Sequence, residues 1–333
     1  MKTSLKLAMC LCVLMTGCAN KEDYKSMLFV KTTTSPELSF DRYEDVLFQI
    51  DTARFQETVQ SIQQDYLPFL AGDLSDPNAI LYLKAFAVDT FSITLYHEVK
   101  KVYPDLKDVQ GQIESVYQMF NYYYPDIQLP KKVFTCVSGV NPDIPPVMMT
   151  DDALILSLDW YLDRSEVYDY VGMPKYRVER TAGNYIGRDV AELFYETFLA
   201  DRHKQTTVLD EMIREGKKRF FVEAMCPSLP DQVLLGYSLE QLQWASANEG
   251  NLWADIVGNQ RLYSSEYDMF RTFFADGPFT NEYSHEAPAR LGEFLGLHIV
   301  RSYMNTHELS VPELMRLEDL QTLFQESGYK PRK

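Results

Sequence analysis

Helical hydrophobic periodicity runs through almost the whole chain and fails in one place, residues 132–158. Phe40, Tyr43, Leu47 and Phe48 fall on one stripe, and Phe55, Val59, Ile62, Tyr66 and Phe69 form a second before Gly72. The same spacing recurs over 80–96, 109–123, 185–203, 208–224, 239–250, 287–305 and 311–327. Apolar residues repeating at three and four positions give each helix one face to bury against a core. In the gap, residues 132–140, 143–149 and 153–158 are short apolar runs bounded by Gly139 and by Pro145-Pro146, which predicts two or three strands. A small sheet among many helices makes the fold class α+β and predominantly helical. At 46% hydrophobic and 13% aromatic, the chain has ample core material, and residues 39–330 are expected to form a single domain.

Ahead of that body, an apolar run ends at Met15 with Lys2 and Lys6 at its start, and Leu14-Met15-Thr16-Gly17-Cys18 closes it. The run is too short to span a bilayer, which takes about 20 apolar residues. Its layout is that of a secretory signal ending in a lipobox. Residues 1–17 are therefore expected to be a signal peptide, and Cys18 the lipidated amino terminus, carrying a diacylglycerol with palmitate-type chains. Several acyl chains at ~0.8 kcal/mol per buried methylene hold a protein firmly on a membrane. Residues 18–38, polar and containing Thr32-Thr33-Thr34-Ser35-Pro36, read as a flexible tether averaging roughly 25 Å end to end. Asn20-Lys21-Glu22-Asp23 behind the lipid admits two readings, ordinary tether charges or a surface-export signal.

Loss of residues 1–17 removes Lys2 and Lys6 and leaves 30 Lys and Arg against 48 Asp and Glu. An acidic chain without basic clusters does not suit nucleic acid. Cys10 and Cys12 leave with the signal, so Cys136 and Cys226 remain, either as a disulfide or as two buried thiols.

The helix expected after the strands contains Asp189-Val190-Ala191-Glu192-Leu193-Phe194-Tyr195-Glu196. In zinc peptidases of the H-E-x-x-H class, two histidines four residues apart bind the ion and the Glu between them is the general base. Ala191 and Tyr195 would stand at the two ligand positions around Glu192. Alanine has no donor atom, and tyrosine is a phenol that ionises near pH 10. Twenty residues beyond Tyr195, Glu215 takes the place of the downstream carboxylate ligand. One ligand of three cannot retain zinc usefully, so no metal and no other cofactor is expected. An ordinary amphipathic helix accounts for the same residues. His97-Glu98 has Lys101 where a second histidine would be needed, and His285-Glu286 lies in a proline-containing loop. His203, His298 and His307 read as solvated or core imidazoles. No Gly-rich phosphate loop, Gly-x-Ser-x-Gly elbow or CxxC pair occurs.

Phe40-Asp41-Arg42-Tyr43-Glu44-Asp45-Val46-Leu47-Phe48, Val133-Phe134-Thr135-Cys136-Val137-Ser138-Gly139 and Thr150-Asp151-Asp152-Ala153-Leu154 lead into Leu158-Asp159-Trp160-Tyr161-Leu162. Asp210-Glu211-Met212-Ile213-Arg214-Glu215-Gly216-Lys217 follows, then Pro288-Ala289-Arg290-Leu291-Gly292, Gly296-Leu297-His298-Ile299-Val300 and Glu326-Ser327-Gly328-Tyr329. In their order and spacing these segments resemble the gliding-motility lipoprotein GldB family of Bacteroidetes, over most of the mature chain. The resemblance implies a zinc-peptidase-like (zincin-like) body with a degenerate site, held on the cell envelope; the outer membrane is the expected location, with exposure at the surface if Asn20-Lys21-Glu22-Asp23 is an export signal. On this reading the chain is a non-catalytic interaction component with an envelope protein partner, and Ala191, Glu192, Tyr195 and Glu215 line the remnant cleft. Two other readings stand beside it: an active zinc metallopeptidase of the envelope, and a lipoprotein that binds a glycan or small ligand through Trp160, Trp244, Trp253 and some of its 22 tyrosines.

Overall fold

The structure, a computed structural model, describes residues 24–32, 35–163, 165–200 and 207–331. Cys18 and His203 lie outside the described residues. Ten helices carry the argument: α1 (Tyr24–Leu28), α2 (Tyr43–Leu47), α3 (Pro77–Val88), α4 (Thr90–Val102), α5 (Lys107–Tyr123), α6 (Ile186–Phe198), α7 (Val208–Met225), α8 (Leu239–Gly258), α9 (Leu291–Thr306) and α10 (Leu320–Ser327). Four strands, β1 (Ser39–Arg42), β2 (Lys132–Cys136), β3 (Val147–Met149) and β4 (Ala153–Ser157), form one mixed sheet in the order β1-β2-β4-β3. β1 and β4 run parallel to β2, whereas β3 pairs antiparallel to β4 at the sheet edge. The fold is thus α+β and predominantly helical, as the periodicity predicts.

β4 is buried along its whole length, so its apolar run shows no alternation. The sheet parts two apolar clusters. Val133, Leu154 and Leu156 face the main core, which takes in α5, α6, α7 and α9. Cys136 and Ile155 face a smaller cluster with Tyr43, Leu47, Phe55, Val59 and Leu70. At the centre of the main core α7 and α9 cross at glycines. A Cβ on Gly296 would stand 1.7 Å from the Met212 carbonyl oxygen, and one on Gly216 would stand 2.2 Å from that of Gly296.

Four elements differ from the sequence expectation. The first stripe begins as strand, because Phe40 lies in β1 and only Tyr43–Leu47 is helical. The stretch 80–96 is two helices meeting at 56°. Asp89 breaks it by accepting from the Ser92 amide at 2.9 Å and capping α4, a stop that apolar spacing alone does not reveal. The stretch 311–327 likewise divides, with Asp319 capping α10. The fourth difference concerns the tether. Tyr24 and Leu28 of α1 are buried in the main core, the Tyr24 hydroxyl donates to Glu223 at 3.2 Å, and the Tyr24 ring packs on Phe220 with centroids 5.6 Å apart. Two large apolar side chains four positions apart outweigh the polar composition around them, and the second half of the expected tether joins the body.

Cys136 and Cys226 are free thiols. Cys136 is buried in β2 with its sulfur 3.5 Å from Ser157 Oγ, and Cys226 ends α7 beside Gly187. Burial pushes the Cys226 thiol up to about 12, so neither presents a thiolate.

Candidate functional site

A cleft of about 670 Å³ opens between α6, the loop Pro142–Val147, and cationic side chains brought in from α7 and the start of α9. The amphipathic spacing of α6 positions its residues. Val190, Ala191 and Phe194 are fully buried in the core, while Asp189, Glu192, Leu193 and Glu196, at positions i, i+3, i+4 and i+7, line the cleft.

Glu192 is the centre of its charge network. Arg219 Nη1 and Nη2 donate to the two Glu192 carboxylate oxygens at 2.9 and 3.1 Å, and Arg188 Nη2 approaches at 3.3 Å. Arg219, itself 2% exposed, also donates through Nε to Glu293 at 2.8 Å. The Lys218 ammonium sits 2.7 Å from Glu215, 3.5 Å from Glu196 and 3.9 Å from Glu192. Burial raises the proton affinity of Glu192, but Arg219, Arg188 and Lys218 outweigh it and hold the carboxyl far below the usual range. Asp189 goes the other way: burial pushes its carboxyl up, and Tyr161 and Arg188 hydrogen-bond it at 2.8 and 2.7 Å.

The opposite wall is the loop after β2. Asp159 is fully buried and its carboxylate accepts from the Ser138 amide at 3.0 Å and the Val140 amide at 2.8 Å. Gly139 and Val140 both take positive φ, at 81° and 51°, which turns those amides toward one point. Such a concavity of amides is an anion site, here filled by the protein's own carboxylate. Ser138 Oγ donates to Asp159 and accepts from Trp160 Nε1 at 3.1 Å, which fixes the indole at the cleft wall. Beyond the loop, the β3–β4 ladder runs through Ser157 N to Pro146 O and Thr150 N to Ala153 O. Pairing alternates along an antiparallel strand, so the polar backbone groups of Val147 and Met149 point away from β4 toward the open edge.

Of the residues singled out in the sequence, Glu192 lines the cleft and Glu215 reaches it through Lys218. Ala191 is fully buried in the core, and the Tyr195 ring packs on Phe221 with centroids 5.7 Å apart. These residues do not fit a zinc ion. The two ligand positions turn to the core, both Glu192 oxygens are engaged by a guanidinium, and two further cations stand in the same carboxylate cluster. Trp160 is at the cleft, while Trp244 and Trp253 pack against the main core. Sequence reasoning passed over Lys218, Arg219, Arg188 and Glu293, because Glu192 and Arg219 are 27 positions apart and no local spacing couples them. One signal was available: Lys217, Lys218 and Arg219 precede Phe220-Phe221-Val222 in a helix otherwise fit for burial.

The family model described as gliding motility protein GldB matches residues 29–331. The chain belongs to the GldB family. It is thereby a gliding-motility-associated lipoprotein of the cell envelope, and the match takes in the cleft, the sheet and every helix after α1. No curated protein and no solved structure matches the chain.

Proposed function

We propose that this GldB-family chain, anchored through a lipid on Cys18 in the outer membrane and open to the cell surface, is a non-catalytic interaction component whose cleft receives a segment of an envelope protein. The state of Glu192 carries the reading. A general base needs a free lone pair and a proton affinity near the working pH. Glu192 has both oxygens on Arg219 and a strongly lowered affinity, which are the properties of a structural ion pair. The cleft has features of a protein-binding groove: mixed charges, the edge-strand backbone of Val147, which has no ladder partner on its outer side, and apolar Ile144, Trp160, Met173 and Leu193.

The test uses the full-length lipidated protein. Substoichiometric transition metal by elemental analysis, with no chelator-sensitive cleavage of a peptide library, is the expected result. One bound zinc per chain with hydrolysis lost in E192Q would establish the metallopeptidase instead. Protease shaving of intact cells checks the surface location, since a chain facing the periplasm would be spared.

A further inference from the structure

The part of the tether that folds onto the body limits how the body can sit on its membrane. Tyr24 is fixed by its ring on Phe220, by its hydroxyl on Glu223 and by its amide, which donates to Asn305 Oδ1 at 3.2 Å. Six residue steps then separate Cys18 from a point held in the core, an extended reach of about 20 Å and a coil average of roughly 14 Å. A lipid on Cys18 therefore holds Tyr24 within about 20 Å of the bilayer and restricts which face the body can turn to it.

Three large apolar side chains stand exposed near that point. Phe29 is 57% exposed, Met27 41% and Tyr122 52%. Met27 and Tyr122 line one small cavity with Leu309 and Val311. Phe29 lines an adjoining cavity of about 970 Å³ with Met119, Lys31 and Lys107, and Leu28 and Val30 border both. The segment 27–30 thus runs as a ridge along α5, with aromatic and thioether side chains outward and two lysines beside it. Asp108 shares that lining, so charge attraction is modest and the apolar groups must supply the contact. Aromatic rings and long lysine stems are the groups that settle at the headgroup level of a bilayer.

We propose that the face formed by Met27, Phe29 and Tyr122, with Lys31 and Lys107 at its side, rests in the interface of the lipid bilayer that anchors the chain. This rests on the reading of Cys18 as the lipidated residue. The geometry then sets the orientation of the cleft relative to the membrane, because α1 is fastened to α9 and α7, which also carry Glu293, Lys218 and Arg219.

Full-length protein purified from membranes and reconstituted in phosphatidylethanolamine and phosphatidylglycerol vesicles with brominated acyl chains tests it. Phe29→Trp and Tyr122→Trp place indoles on the face. Tyr267→Trp places one on a side chain 77% exposed, on the helix Tyr267–Phe274 that meets the opposite end of α9 from Asn305. The added emission at 29 and 122 should fall by roughly half or more in brominated against plain vesicles, since such a face lies ~5–10 Å into the headgroup boundary. Emission added at 267 should be unchanged. Acylated Cys18 by mass spectrometry with no quenching at 29 and 122, or equal quenching at all three positions, overturns the proposal alone. A chain without acyl mass on Cys18 overturns the reading beneath it and the proposal together.

Discussion

At the scale of single residues, a fully buried carboxylate, Asp159, and a half-buried one, Glu192, organise the cleft. Asp159 is a hub for the Ser138–Val140 turn, and an amide in its place sets an NH2 donor where one carboxylate oxygen accepts from the Ser138 amide. D159N should cost about 1–3 kcal/mol in denaturant unfolding and alter Trp160 emission, because the indole hangs from Ser138. Arg219 joins Glu192 to Glu293, so R219A leaves Glu192 to Arg188 and Glu293 to Arg290, each at 3.3 Å, and removes the shorter bonds. Loss of about 3–5 kcal/mol is expected, the range for breaking a buried pair from one side. The Glu192 pair also predicts a pH dependence. Its folded proton affinity lies below the ordinary value of 4.5, so the pair stabilises fully above that pH and loses its contribution as the pH falls beneath it. The stability difference between wild type and E192Q should hold steady above pH ~5 and shrink below it by at most about 1.4 kcal/mol per pH unit. A constant difference down to pH ~3 would mean that the pair is not formed as described.

At the scale of elements, the crossing of α7 and α9 is what brings Lys218 and Arg219 opposite Glu293. Backbone meets backbone at Gly216 and Gly296, and no rotamer change relieves a Cβ placed 1.7 Å from a carbonyl oxygen. G296A should therefore destabilise by ~3 kcal/mol or more, whereas G258A, with open space around it, should be nearly neutral. The glycines were visible in the sequence, but their pairing across 80 positions was not. Element boundaries set by local capping, at Asp89 and Asp319, were written in the sequence as Asp residues ahead of helical runs. Apolar periodicity continues through them, which is why one helix was expected where two occur.

For the whole molecule, the docked α1 makes the amino-terminal segment part of the folded body. A chain starting at Lys31 should melt below one starting at Tyr24, because Leu28, 2% exposed, contributes about 1.5–3 kcal/mol and Tyr24 adds its own burial. Equal melting temperatures would show that α1 does not pack. By itself the sequence determined the fold class, the place of the sheet and the absence of histidines at 191 and 195. Each of these is a matter of residue type or of spacing within a few positions. Only the tertiary structure decided that positions 191 and 195 turn to the core, that Glu192 is held by Arg219, that Cys136 and Cys226 stay apart, and that half the tether folds. The reason is physical: charge pairing and burial depend on which distant side chains meet, and a chain's local pattern fixes the face of a helix but not what that face will touch.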